Sequence, residues 1–410
     1  MKPHERATLL LAALAALPAG AQQADPVLRP VSRADAVAEA LANGTRAKIA
    51  LADTTAAHGA VAAASAYPNP ALAAGYSKAT PQYHVSLDQP IEYPGLRSAR
   101  AEAARDLQRA SHWRFVLERA ALQVEADTVY TAALAALGHA RLSAVSARAA
   151  DSLLTLARIR REAGDASDLE VELASVNALQ MANANANDSI AAVAATLELQ
   201  RVMGIGAERE RIVLTDSLRA VALPPLTAPL PGAGAAPPLA VAAAEATALA
   251  ASHALSVEQN SVFSTPSLTL GIDTHDPSGA EPGLLPNVGV SVPLPLWSRR
   301  TGEIALAQAG VFRAQAELAE ARRESDARIA RARRDLEAAN ARVARDGNVL
   351  ASARRVASMS LTAYAEGAAG IPTVLEAQRT ARDAVAHYLD DLAAAQIAYA
   401  LLTLHSLPAQ

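Results

Sequence analysis

The chain contains no cysteine. Disulfides, zinc–thiolate centres and thiol nucleophiles are therefore excluded, as is the lipidated cysteine that anchors a bacterial lipoprotein behind its leader. Aromatic residues are scarce, with 2 Trp, 8 Tyr and 3 Phe in 410 residues, while hydrophobic residues make up 51%. Much of that apolar content is alanine, the best helix former and a small packing residue. Long, closely packed helices fit this composition better than a bulky globular core. No sign of charge dominates, since 37 Lys and Arg stand against 41 Asp and Glu. No basic field over the whole chain points to nucleic acid. The arginine run from Arg322 to Arg345 is interleaved with Glu324, Asp326, Asp335 and Glu337, the pattern of a solvated helical face.

Catalytic and cofactor motifs are missing as well. There is no glycine-rich phosphate loop and no Gly-x-Ser-x-Gly elbow. The nine histidines are scattered, and none forms a His-x-x-x-His pair. Asp273-Thr274-His275-Asp276 is the only dense oxygen and nitrogen cluster, and its place in a polar loop reads as solvated rather than metal-binding. No catalytic residue, cofactor or metal site is expected.

What is present begins with a secretory leader. Lys2, His4 and Arg6 precede the short apolar run Ala7 to Pro18, and Ala19-Gly20-Ala21 has the small-x-small pattern of a cleavage site. Residues 1–21 are expected to be a signal peptide. Beyond it, no uninterrupted apolar run of membrane-spanning length reads as helical. The stretch from Ala220 to Ala244 is nearest, but Pro224, Pro225, Pro229, Pro231, Pro237 and Pro238 exclude a helix there. Residues 220–238 are expected to be a linker between two halves, 22–219 and 239–410.

The halves resemble each other. Pro90 and Pro293, Arg97 and Arg300, and Gly164 and Gly367 are each separated by 203 residues. The order helix, strand, strand, helix, helix repeats around these landmarks. A helix is expected from about Ser32 to Ala64 and another from about Ala240 to Val262. Strands follow at about 69–77 and 83–91, then at about 265–273 and 287–294. In the first pair His84, Ser86 and Asp88 alternate with Val85, Leu87 and Gln89, which places one side-chain class on each face. Each run approaches the 9–11 residues that a tilted strand needs to cross a bilayer. The rare aromatics Tyr67, Tyr76, Tyr83, Tyr93 and Trp297 gather at the strand ends, where membrane barrels place interfacial girdles. Four strands cannot close such a barrel alone, so several chains must pool them or the hairpins form a soluble edge.

Very long helices follow each strand pair, at about 95–161 and 167–204, then 298–366 and 371–404. From Leu117 an uncharged seam steps by four and three residues through Thr131, Gly138, Val145 and Ala149 to Ile159. A second seam runs from Ile329 through Leu336, Val343 and Ala353 to Tyr364, interrupted by Asp346. A mean spacing of 3.5 residues is coiled-coil packing. The fold class expected is mainly α, with a membrane β-barrel portion.

At this point the chain resembles the TolC family of outer-membrane efflux proteins. The matching residues are Tyr67-Pro68-Asn69-Pro70 and Ser86-Leu87-Asp88-Gln89-Pro90-Ile91-Glu92-Tyr93-Pro94-Gly95-Leu96-Arg97. The stretches Ala363-Tyr364-Ala365-Glu366-Gly367 and Val374-Leu375-Glu376-Ala377-Gln378-Arg379 match too. Gln89-Pro90-Ile91-Glu92 followed by an arginine is similar to the CzcC-like heavy-metal branch. The resemblance implies a homotrimer in outer-membrane lipid, with one 12-stranded barrel and a hollow helical barrel in the periplasm. It implies a passive duct served by a periplasmic adaptor and an inner-membrane pump, most commonly of the RND type. It also places the adaptor-docking tip at Arg160, Arg161, Gly164, Ser167, Tyr364, Gly367 and Gly370. Glu170, Tyr364 and Glu376 fall where the family has its periplasmic gate. Ala369 and Thr373 stand where relatives carry an arginine and a further aspartate, so the polar latch is incomplete. Three-fold symmetry would make each gate carboxylate a ring favouring cations. The competing reading is a periplasmic adaptor, which predicts one coiled-coil hairpin flanked by β-rich segments.

Overall fold

The computed structural model describes residues 28–92, 95–206, 211–220, 236–261, 265–275, 283–294 and 299–409. The expected signal peptide and most of the expected linker lie outside them. The first half contains β1 (Leu28–Val31), α1 (Arg33–Asn43), α2 (Thr45–Ser65), β2 (Ala71–Tyr76), β3 (Tyr83–Pro90), α3 (Leu96–Glu162), α4 (Asp168–Met203) and β4 (Arg211–Leu214). The second half contains α5 (Leu239–Asn260), β5 (Ser267–Thr274), β6 (Leu284–Ser291), α6 (Thr301–Ala365) and α7 (Ile371–Ser406). The chain is mostly helical.

The expected helix from Ser32 to Ala64 is two helices. Ser32 and Asp35 form a reciprocal capping box that starts α1. Gly44 then turns to an extended backbone with ψ 132° and separates α1 from α2. A side chain there would place Cβ 2.3 Å from the Ala40 carbonyl oxygen, so only glycine fits. At its far end α2 exposes carbonyls that two arginines of α3 satisfy. Arg97 Nε donates to the Ser65 carbonyl at 2.8 Å, and Arg100 Nε donates to that of Ala64 at 3.0 Å. Cations at a helix C-terminus also complement its dipole.

The rods are α3 and α6, with 67 and 65 residues, about 100 Å long at 1.5 Å per residue. Each turns back at a glycine into a 36-residue helix, α4 or α7. The buried stripe of α6 follows the second seam: Ile329, Ala332, Leu336, Ala339, Val343, Ala353, Ala357, Ser360 and Tyr364 are all buried. The first seam does not match the burial of α3. Of its named positions Thr131 is buried, whereas Val145 and Ile159 are exposed, and the chain instead buries Leu122, Ala126, Tyr130, Leu134, Leu153 and Leu154.

A feature absent from the sequence reading lies midway along the rods. β1 and β4 pair in parallel and cover a cluster of Tyr130, Ala133, Leu134, Leu199 and Met203. Tyr130 Oη donates to Asp216 at 2.8 Å, and Asp216 also accepts from the Arg33 backbone N–H at 2.8 Å. Arg33 reaches on to Thr131 and Gln396, tying both halves together. Burial, then the bond to Asp216, pushes the Tyr130 hydroxyl up to about 12. The Arg33 backbone and Tyr130 bonds hold Asp216 below the usual carboxylate range. The stability Asp216 contributes is thus present above about pH 4 and is lost as pH falls through its lowered value. Tyr130→Phe leaves Asp216 short of a donor and is expected to cost about 1–3 kcal/mol, read as a lower denaturation midpoint of the helical signal.

α5 is long and apolar enough to cross a membrane by length and composition alone, although Glu245 interrupts its apolar run. Here it lies along α3 and α6. Glu245 pairs with Arg322 at 2.8 Å, Glu258 with Arg300 at 2.5 Å, and His253 with the buried Asp106. Three polar ties to neighbouring helices make it part of the rod.

Candidate functional site

β2, β3, β5 and β6 form one antiparallel sheet in that order. The second hairpin starts its return strand at Leu284, ahead of the expected 287. Registers of Leu72 with Leu87, Leu87 with Leu270, and Leu270 with Val288 set the faces. Directly opposed residues share a face, and neighbours along a strand point to opposite faces. One face therefore carries Leu72, Val85, Leu87, Leu270, Ile272, Leu284, Val288 and Val290. The other carries His84, Ser86, Asp88, Thr269, Asp273 and Asn287, together with several small residues and Leu285.

Among the described residues the apolar face covers nothing. Gly271 is the one buried residue among the four strands, and Leu72, Val288 and Val290 are 72%, 73% and 70% exposed. Leaving eight aliphatic side chains in water forgoes roughly 1.5–3 kcal/mol each, which a soluble sheet recovers by packing one face on a core. The polar face, in contrast, is internally bonded. His84 Nδ1 meets Asp273 Oδ1 at 2.8 Å, Asn287 Nδ2 donates to Asp273 Oδ2 at 2.9 Å, and Thr269 donates to Asp88. This is the alternation of a sheet with lipid on one side and water on the other.

Tyrosines mark both rims. Tyr76 and Tyr83 face each other at the hairpin end with ring centroids 5.4 Å apart. Tyr67 stands at the helix end with the Arg97 guanidinium 3.9 Å from its ring centre. Tyr93 and Trp297 lie outside the described residues.

The opposite end of the molecule is a pair of matching turns. Gly164 and Gly367 adopt φ of +87° and +78°. Each closes a Schellman motif: Gly164 N–H donates to Arg161 and Asp165 N–H to Arg160, as Gly367 does to Tyr364 and Ala368 to Ala363. Ser167 then caps α4, its Oγ accepting from the Glu170 N–H at 3.3 Å, and Gly370 precedes α7. Gly164→Ala or Gly367→Ala forces a side chain into the left-handed region at about 1–2 kcal/mol. Faster proteolytic nicking at the altered turn is the expected result.

Arg160 fastens the turns to each other. Its Nη1 donates to the Tyr364 carbonyl at 2.5 Å, its Nη2 to the Asp165 carbonyl at 3.0 Å, and its guanidinium lies 4.6 Å from the Tyr364 ring centre. Tyr364 is fully buried among Leu153, Ala157, Ile371 and Val374. Burial first, then the nearby Glu170 charge, raises its hydroxyl pKa, while Arg160 opposes them. Arg161 points elsewhere and pairs with Asp168.

The chain is similar to the outer membrane protein VceC of Vibrio cholerae, with a TM-score of 0.76 at 16% identity over 91% of this chain and 95% of that one. A membrane protein of Pseudomonas aeruginosa gives 0.76 at 18% identity over 91% and 93%. The CmeC outer membrane channel of Campylobacter jejuni gives 0.76 at 13% identity over 91% and 85%. The fold is that of outer membrane channels. No family model and no curated protein sequence matches the chain.

Within this channel fold the residues singled out by sequence fall into separate groups. Arg160, Tyr364 and Glu170 come together at the tip, and Gly164, Gly367, Ser167 and Gly370 shape its turns. Glu376 lies apart, exposed on α7 in a groove shared with Asn348, Val349 and Thr373. The contact of Arg160 with Tyr364 and the bonding of Asp273 to His84 and Asn287 were not anticipated. The alternation of β3 had already put His84 and Asp88 on one face, but nothing local to the sequence aligned that face with β5.

Proposed function

We propose that this chain is a TolC-family outer-membrane exit duct, a passive conduit and not an enzyme. Three copies pool four strands each into a 12-stranded barrel, and their rods form the periplasmic tunnel below. The observation that carries this reading is the four-stranded sheet, with an unpacked apolar face, a bonded polar face and two open edges. β2 and β6 run in opposite directions, so β2 of a second copy can join β6 without breaking the antiparallel order. Closure removes the edges that lipid cannot tolerate. Exposed apolar residues on α4 support the same assembly. Leu169, Leu173, Val176 and Leu179, then Ile190, Val193 and Leu197, are exposed at the spacing of a helix-packing stripe.

The tip serves as docking surface for the hairpin of a periplasmic adaptor, with an inner-membrane pump, of RND type, supplying energy and cargo. The cargo is metal cations or small toxic compounds, the former supported by the resemblance of Gln89-Pro90-Ile91-Glu92 to the CzcC-like branch. Deleting the chain and comparing metal with drug sensitivity separates these cargoes. A periplasmic adaptor is the poorer reading, because a single coiled-coil hairpin accounts for neither the doubled rods nor the sheet.

Outer-membrane fractionation, heat-modifiable trimers on gels and single-channel recording test the proposal together. A water-soluble monomer without pores contradicts it. For the gate, Glu170→Gln with Glu376→Gln is expected to lower the cation-to-anion permeability ratio, because symmetry makes each carboxylate a ring. An unchanged ratio removes these two residues from the gate.

A further inference from the structure

The polar face of the sheet has a charge pattern that neither the channel fold nor the tip explains. Its ionic groups are Asp88 and Asp273, with His84 as the one imidazole; the four strands contain no Lys or Arg. Both carboxylates are oriented by bonds across strands. Thr269 donates to Asp88, and His84 and Asn287 each take one oxygen of Asp273. The Asn287 contact depends on Gly271 directly across from it. A Cβ at Gly271 would come within 2.3 Å of Asn287 Oδ1, so glycine leaves the room in which Asn287 lies as it bonds Asp273.

The rest of the face is mostly small: Ala71, Ala73, Gly75, Gly271 and Gly289 share it by register, with Leu285 opposite Asp273 as its one leucine. Charge is the main means of discrimination such a face offers. We propose that the barrel portion has its own cation-preferring belt, formed by Asp88 and Asp273 of each protomer and separate from the carboxylates of the tip.

The proposal rests on the exit-duct reading, because only pooled sheets turn this face into a lumen. Twelve strands about 4.8 Å apart, tilted by roughly 40°, enclose a backbone radius of about 12 Å. Side chains reduce the open radius to under about 10 Å, close to the Debye length at 0.1 M salt. Ions crossing the barrel therefore stay within reach of the fixed charges on its wall. Three protomers supply six carboxylates from these two positions, with no strand Lys or Arg to cancel them. A wall that is wide but acidic suits hydrated cations and small cationic organic molecules, and slows anions.

The test is the reversal potential of purified trimers in planar lipid bilayers under a KCl gradient near 0.1 M. Asp88→Asn with Asp273→Asn removes both charges; each amide keeps one acceptor oxygen, which serves the Thr269 bond at 88 and one of the two bonds at 273, the other requiring its partner to turn an acceptor toward the new NH2. The expected result is a severalfold drop in the potassium-to-chloride permeability ratio, with single-channel conductance and trimer heat-stability maintained. Wild-type preference should also weaken near 1 M salt, where the Debye length is about 3 Å. Asp88→Lys, which leaves Asp273 and its partners in place, should swing the ratio toward anions. The Glu170→Gln, Glu376→Gln protein should keep part of its cation preference. A conducting Asp88→Lys or double-Asn protein with the wild-type ratio overturns the belt and leaves the exit-duct reading standing. A wild type that makes no pores overturns both.

Discussion

A chain with Leu270→Arg and Val288→Arg is expected to fold its helical rods yet fail to reach the outer-membrane fraction as a trimer. These two residues oppose each other on β5 and β6, on the face with no protein cover. An arginine near the bilayer midplane of a barrel costs about 2–4 kcal/mol, and the proposed trimer would hold six, so the penalty is on the order of 12–24 kcal/mol. Ser86→Arg supplies the contrast, since it sits one residue from Leu87 but on the polar face. That substitution should assemble and alter ion preference instead. Such asymmetry between adjacent positions is not expected of a soluble sheet, in which both faces of an uncovered hairpin meet water. Equal assembly of the Leu270→Arg, Val288→Arg and Ser86→Arg proteins would remove lipid from the apolar face.

The second large effect is expected at the tip. Arg160→Ala deletes a charge-assisted bond and a guanidinium–ring contact that join the turn of one half to Tyr364 of the other, together with a second bond, to Asp165, inside its own turn. A bond to a charged donor contributes about 1.5–3 kcal/mol and the cation–π contact about 0.5–2 kcal/mol. A total of a few kcal/mol shifts a two-state equilibrium by a hundredfold or more. If the tip is the narrow end of the tunnel, single-channel conductance should rise severalfold and its turns should become more open to protease. Arg161→Ala, which loses only an exposed pair with Asp168, should change little. Equal effects of the two substitutions would show that Arg160 is not the clamp.

The parts of this molecule that could be read from sequence are those with a short period. Alternation in β3 needs eight residues to register, and turn glycines announce themselves by type. The seam of α6 coincides with its buried stripe because α6 packs mainly against α5 and α7, so one face is in use along its length. α3 touches α1, α2, α4, α5 and α7, and its buried face changes with each neighbour; a single seam could not describe it. The β1–β4 pair was invisible for a different reason. Each strand has four residues, and Leu28 meets Arg211 across most of the first half, too little local pattern over too long a separation. Arg160 and Tyr364 are likewise 204 residues apart, and only superposing the two halves of the repeat brings them together. The proposed gate and docking roles rest on family resemblance, not on any period or spacing.

The pooled barrel can be tested most directly by cross-linking its seam, and a chain without native cysteine suits that purpose. β2 and β6 are the two edges of one protomer's sheet, three strand spacings or about 14 Å apart, whereas a disulfide needs Cα atoms within about 4.4–6.8 Å. A cysteine at Ala73 combined with one at Gly289 or Ser291 therefore cannot close readily within a single sheet. Oxidation in intact outer membranes should give a denaturant-resistant ladder of one, two and three chains that stops at three. Monomer alone at every edge pair tried, or a ladder without an end, would contradict a closed barrel shared by three copies.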